Sequence, residues 1–244
     1  MQVDSIAIRL RRRSALEAAD LGVRLCQSAA RSVYTCYFAV AVPVIVLALA
    51  TFEIAAWLPT LLLWWLKPWL DRTILFVLSR AAFGQTTTPG DLRRAQRHVL
   101  WGQLFGTLTL RRLSPWRSFT QPVYQLEGLP LGARGNRVRQ LRAGKSGAAA
   151  LVTGAYSTAG LTLTLSLLSF AFWFAPAGLA PDPSQFLSGE GERVLELVFA
   201  IAYAIVILLL EPFYVAAGFA MYLNRRVELE AWDIEQEFRR AFTR

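Results

Sequence analysis

The chain has 244 residues, 55% of them hydrophobic, with eight Trp, a mean hydropathy of +0.37 and a formal net charge of +9. Apolarity on this scale, gathered into long uncharged runs, excludes an ordinary soluble domain and points to the membrane. A single His (His98) and two Cys (Cys26, Cys36) argue against a His-based metal site, a histidine dyad or a disulfide framework.

The first 31 residues hold six Arg, too many over too long a stretch for the n-region of a cleavable signal, so the first span is expected to stay as an anchor. Within residues 1–32, "SALEAADLGVRL" opens with Ser14 and Glu17 at capping-box spacing and continues with Asp20 and Arg24 as an i,i+4 pair. It reads as a surface helix of about four turns on the inner leaflet. Ser32–Phe52 carries no charge and gives a first transmembrane segment at 33–52; Cys26 lies just before it and Cys36 inside it. A second, 54–83, is long enough but contains Lys67, Asp71, Arg72 and Arg80. In the segment 84–146, Thr88 is placed to cap a helix, with Pro89 at its first position and Asp91 in its first turn. The apolar stretch Val99–Leu110 has only 12 residues, too few to cross, and is expected to be an interfacial or partly embedded helix. Ser114-Pro115 begins a further turn or helix, and "EGLPLGARGN" reads as a loop.

Ser146–Pro181 is free of charge for 36 residues and contains a third span, 150–175. Its Ala150, Gly154 and Thr158 suit close helix contact. The acidic connection "PDPSQFLSGEGERVLE" leads to the last span, 195–223. From Leu197 to Leu223 this span has one charged residue, Glu211, followed by Pro212. Residues 224–244 then read as an amphipathic tail, with Val227, Ala231, Ile234, Phe238 and Phe242 on one face.

Basic residues orient the chain. Lys and Arg number six in residues 1–31, eleven in 84–145 and five in 225–244, against none between the first two spans. The positive-inside rule therefore puts both termini and the central segment in the cytoplasm. The expected architecture is an all-α membrane protein with four transmembrane helices plus interfacial amphipathic helices, in a bacterial inner membrane. The basic segment 84–146 is its contact with the bilayer surface, either as a topology signal or by pairing with anionic lipids. No aromatic stacking platform or reader motif accompanies the charge, so nucleic acid is not expected as a partner.

Ionisable residues inside a membrane are costly and usually face a bundle interior. Glu211 lies 17 positions into its span counted from Val194, and Asp71 and Arg72 lie 17 and 18 positions into theirs counted from Ile54. The matching depths imply a neutral cluster: Lys67 with Asp71 along one helix, and Arg72 across to Glu211. Pro68 and Pro212 bend their helices there and free the carbonyls of Trp64 and Leu208 as acceptors. Such a cluster is either a structural clasp or a hydrated site for a proton, ion or lipid head group. "LLLWWLKPWLDRTILFVLSR" and "IVILLLEPFYVAAGFAMYLNRR" share a charged residue before Pro and a later Arg, a hint of two parallel halves. "AGKSG" lacks the first glycine of a phosphate loop, Arg139 standing there, and no G-x-S-x-G or H-E-x-x-H occurs.

"WWLKPWLDRTILFVLSRAAFG", "RRLSPWRSFTQPVYQLEG" and "EPFYVAAGFAMYLNRRVELEAWDIEQEFRR" resemble recurring segments of a family of uncharacterised multi-pass bacterial inner-membrane proteins. Some members carry a C-terminal extracytoplasmic domain of unknown function. More distantly, the order of elements is similar to the membrane domain attached to some glycerophosphodiester phosphodiesterases. The resemblance implies a fold and a location but no chemistry. The expected role is a non-enzymatic scaffold or partner subunit of an envelope complex, binding other membrane proteins or further copies of itself. The alternative is a small transporter or lipid-handling protein using Lys67, Asp71, Arg72 and Glu211. No cofactor is expected.

Overall fold

The longest helix of the chain becomes the axis of the molecule. A computed structural model of the chain describes residues 13–102, 104–109, 111–174 and 190–230, and every regular element among them is helical. In chain order these are α1 (Ala15–Ser28), α2 (Ala30–Ala50), α3 (Leu58–Ala81), α4 (Pro89–Gln96), α5 (Leu104–Leu108), α6 (Arg117–Leu126), α7 (Leu131–Arg142), α8 (Ser146–Trp173) and α9 (Glu190–Glu230). A 3-10 turn, Thr51–Glu53, follows α2, and a π-helical turn, Arg97–Trp101, follows α4.

Three helical stretches are long and apolar enough to cross a membrane, Ala30–Glu53, Ser146–Phe170 and Gly191–Glu230, which marks the chain as membrane-embedded. At 1.5 Å per residue the 41 residues of α9 span about 60 Å, twice a hydrocarbon core. Helices α1, α2, α3, α6 and α8 all pack against it. Two glycines permit the closest approaches. A Cβ on Gly22 of α1 would stand 2.2 Å from the Ala216 carbonyl oxygen, and one on Gly218 of α9 would stand 2.3 Å from the Ser118 Cβ of α6. The core between these helices is built from Tyr37, Leu70, Ile74, Phe119, Phe219 and Tyr222, all essentially inaccessible.

Local signals read from the sequence mostly hold. Ser14 caps α1 by accepting from the Glu17 N–H, and α4 has a full capping box between Thr88 and Asp91. The Asp20–Arg24 pair does not form; Arg13 and Glu17 make the i,i+4 pair of this region at 3.5 Å. Val99–Leu110 is not one helix: the π turn gives way at Gly102 to the five-residue α5. Two of its aromatic side chains are nevertheless open, Trp101 at 65% and Phe105 at 84% exposure, while Val99 is buried. The "EGLPLGARGN" loop ends early: α7 begins at Leu131, with Pro130 as the extended residue before it.

The small-residue stripe of the third span also faces differently from expectation. Among the described residues nothing lies within 4 Å of a Cβ built on Gly154, and Thr158 is exposed. Helix α8 meets α9 through Thr153, Tyr156 and Gly160 instead. Cys26 and Cys36 are buried free thiols, and burial pushes the Cys26 thiol up to about 11. The start of the N-terminal segment (1–12), most of the acidic connection and the amphipathic tail beyond residue 230 lie outside the described residues.

Candidate functional site

Lys67 and Asp71 are four residues apart on α3 and share one face, whereas Arg72 is turned about 100° away. That rotation decides the site. Lys67 Nζ reaches across to Glu211 Oε2 of α9 at 2.7 Å. Asp71 and Glu211 both lie 3.2 Å from a single nitrogen, Nη2 of Arg117 at the first position of α6. The centre is thus Lys67, Asp71, Arg117 and Glu211, two cations and two carboxylates, with Asp71 at 0% and Glu211 at 3% exposure. Charges so deep persist only when paired, and here the formal sum is zero.

Arg72 is the correction to the expected cluster. Its Nε donates to the Val99 carbonyl, Nη2 to the His98 carbonyl at 3.3 Å and Nη1 to Thr107 Oγ1 at 3.2 Å. It anchors the π turn and α5 rather than Glu211. The helix ends at Gly102, so the carbonyls of its last turn have no helical N–H ahead of them and are open to these donors. Gln125 Nε2 completes the attachment by donating to the Arg72 carbonyl at 2.8 Å, and Trp69 Nε1 donates to Leu100 O at 2.8 Å.

The prolines act one residue away from expectation. Pro68 would free the Trp64 carbonyl, yet the side-chain donor nearby, Arg112 Nη1, goes to Trp65 O at 2.6 Å. The Arg112 guanidinium also lies 3.4 Å over the Trp64 ring. Around Pro212, Tyr34 and Tyr37 of α2 donate to Leu209 O and Ile207 O at 3.0 and 3.4 Å, flanking Leu208.

Sequence reasoning missed Arg112 and Arg117. Both lie in "RRLSPWRSF", where their charge is indistinguishable from that of a topology signal. The available clue was α6 itself, which carries Phe119 and Val123 and is buried over Ser118–Val123, so its first residue had to point inward with it. Gly218 makes this possible by letting Ser118, the neighbour of Arg117, touch the α9 backbone.

On its α8 side the charged centre opens into a cavity of about 440 Å³, lined by Lys67, Arg112, Arg117, Tyr203, Glu211 and Tyr214 among others. Burial brings the Arg112 guanidinium down to about 10, which leaves it protonated at neutral pH. Among the described residues its Nε is buried without a hydrogen bond. Thr153 of α8 meets the Tyr214 hydroxyl at 3.3 Å on the cavity wall. Through Trp64, Phe199 and Tyr203 the cavity runs on into a shallower apolar recess of about 660 Å³ that extends to Trp57 and Leu195. The arrangement provides a cationic end with spare N–H donors and an aromatic, apolar continuation. No family model, no curated protein and no solved structure matches the chain.

Proposed function

We propose that the protein is a lipid-handling integral membrane protein that seats the anionic head group of an amphiphile against Arg112, Lys67 and Arg117. The observation that carries this reading is the continuity of the charged centre with the apolar recess. A clasp alone would need the four charges but no 440 Å³ cavity beside them. Counting Arg112, the groups at the cavity end carry three positive charges against two negative, which favours an anion. Trp57 to Lys67 is ten residues, about 15 Å along α3, which matches half of a hydrocarbon core of about 30 Å. An acyl chain of one leaflet fits that length.

In this reading α3 is a fourth crossing. Its charges do not oppose insertion, because Asp71 and Arg72 are buried in protein and Lys67 is paired. Both termini and the basic segment 84–146 face the cytoplasm of a bacterial inner membrane, and exposed Trp101, Phe105 and Leu113 rest in the interface. The resemblance to multi-pass inner-membrane proteins belongs to the same proposal. No catalytic step is assigned to the cavity.

A second reading, the scaffold, is favoured by Arg117, which ties the extramembrane helix α6 to two membrane helices. Native mass spectrometry of the protein purified in mild detergent separates the two. The lipid reading predicts a retained phosphate-headed lipid, lost on Arg112→Met while the fold is kept. A co-purifying protein without retained lipid supports the scaffold and overturns the lipid site.

A further inference from the structure

Behind Arg117, on the side away from the large cavity, lies a second and much smaller one of about 20 Å³. It is bounded by Arg72, Thr107, Arg111, Arg117, Gln121 and Gln125. Two features there are unaccounted for by the protein alone. Arg72 is 4% exposed, and among the described residues no carboxylate lies within 4.0 Å of its guanidinium; its partners are carbonyls and a hydroxyl. A buried cation neutralised by no counter-charge is strongly unfavourable. Beside it, Gln121 is 9% exposed, and among the described residues neither its Nε2 nor its Oε1 has a hydrogen-bond partner; Gln125 Oε1 and Arg117 Nε are likewise buried without one. Buried side-chain amides are almost always satisfied, so an amide with both ends idle marks a place for something else.

We propose that this pocket is a binding site for one small monovalent anion of halide size, held by the Gln121 amide in the field of Arg72 and Arg111. Size and charge choose the class. About 20 Å³ admits one or two water-sized particles but not a sulfate or a lipid phosphate. Water would satisfy the amide and leave Arg72 uncompensated; a halide accepts from the amide N–H and supplies the missing charge, with a water on the remaining acceptors. The site is independent of the lipid cavity. Arg117 forms the partition between them, its Nη2 on the two carboxylates and its side chain on the wall of both spaces. Filling the pocket fixes α6 against the π turn, which makes halide a structural ligand of the extramembrane helices.

The test is thermal unfolding of the intact protein in detergent, exchanged into sodium gluconate and titrated with sodium chloride or bromide at constant ionic strength. The midpoint is expected to rise and saturate with either halide, and to stay level when sulfate replaces gluconate. Gln121→Glu builds the negative charge into the wall, so its midpoint in gluconate should match or exceed that of the halide-loaded parent and no longer respond to halide. Equal midpoints in chloride and gluconate would mean water alone fills the pocket and would overturn the proposal; so would equal stabilisation by sulfate, or a full halide response in Gln121→Glu. Should that variant not fold, chloride-35 line broadening on the parent protein decides: saturable excess broadening that bromide displaces is expected, and its absence overturns the site.

Discussion

The two sides of α3 solve the same problem in different ways. Toward α9, Asp71 and Lys67 meet opposite charges and form a neutral centre with Glu211 and Arg117. Toward the π turn and α5, the next residue, Arg72, meets among the described residues backbone carbonyls and a threonine hydroxyl. Arg72 is buried and Arg117 largely so, yet Arg117 is held by Coulomb attraction and Arg72 by directed hydrogen bonds. The first kind of pairing can be unmade and remade by changing charges in concert. The second depends on the path of the backbone it grips, and no second charge substitution can restore it.

The largest effect expected is at the residue that makes the first side reachable. Gly218→Leu places side-chain atoms where Ser118 already stands, 2.3 Å from the first added carbon. Helix α6 must then leave α9 and take Arg117 with it, stranding Asp71 without its cation. A loss of at least about 3 kcal/mol is expected, read as collapse of the monodisperse peak on size-exclusion chromatography. An unchanged profile would break the link between that contact and the charged centre.

On the other side, Arg72→Met removes three donors from the π turn and α5 and leaves the Val99 carbonyl buried without its partner. About 2–3 kcal/mol should be lost, and hydrogen exchange should accelerate over 97–108 rather than along α9. Adding Asp71→Asn should give no recovery. Recovery would show that Arg72 answers a carboxylate after all and would erase the contrast between the two sides. The smallest effect belongs to Trp69→Phe, which keeps the ring packing but loses the bond to Leu100 O, about 1 kcal/mol by thermal unfolding.

How much of this was legible before the fold was known follows the same division. Charge-free runs revealed the helices of 30–53, 146–170 and 191–230, since hydrocarbon tolerates little else. The Thr88-Pro89-x-Asp91 pattern located the start of α4 because capping is local. Glu211, Lys67, Asp71 and Arg72 were visible as misplaced charges, and counting from the span ends gave matching depths for Glu211, Asp71 and Arg72. Depth, however, is one coordinate of a helix and azimuth is the other. Adjacent residues at nearly equal depth, Asp71 and Arg72, point about 100° apart, and only one of them could face Glu211. Arg117 was hidden for a different reason: 94 residues separate it from Glu211, and it lies in a segment so rich in Arg that its charge did not stand out. The close approach of Gly218 to Ser118 belongs to tertiary packing and left no periodic mark.

The charged centre itself is tested most directly by a neutralisation cycle on Arg117 and Asp71, followed by thermal unfolding in detergent. Arg117→Met leaves Asp71 buried without its cation and should cost about 3–5 kcal/mol. Arg117→Met with Asp71→Asn removes one charge of each sign, retains the Lys67–Glu211 pair, and should recover at least half of that loss. A double variant no more stable than Arg117→Met alone would contradict the account.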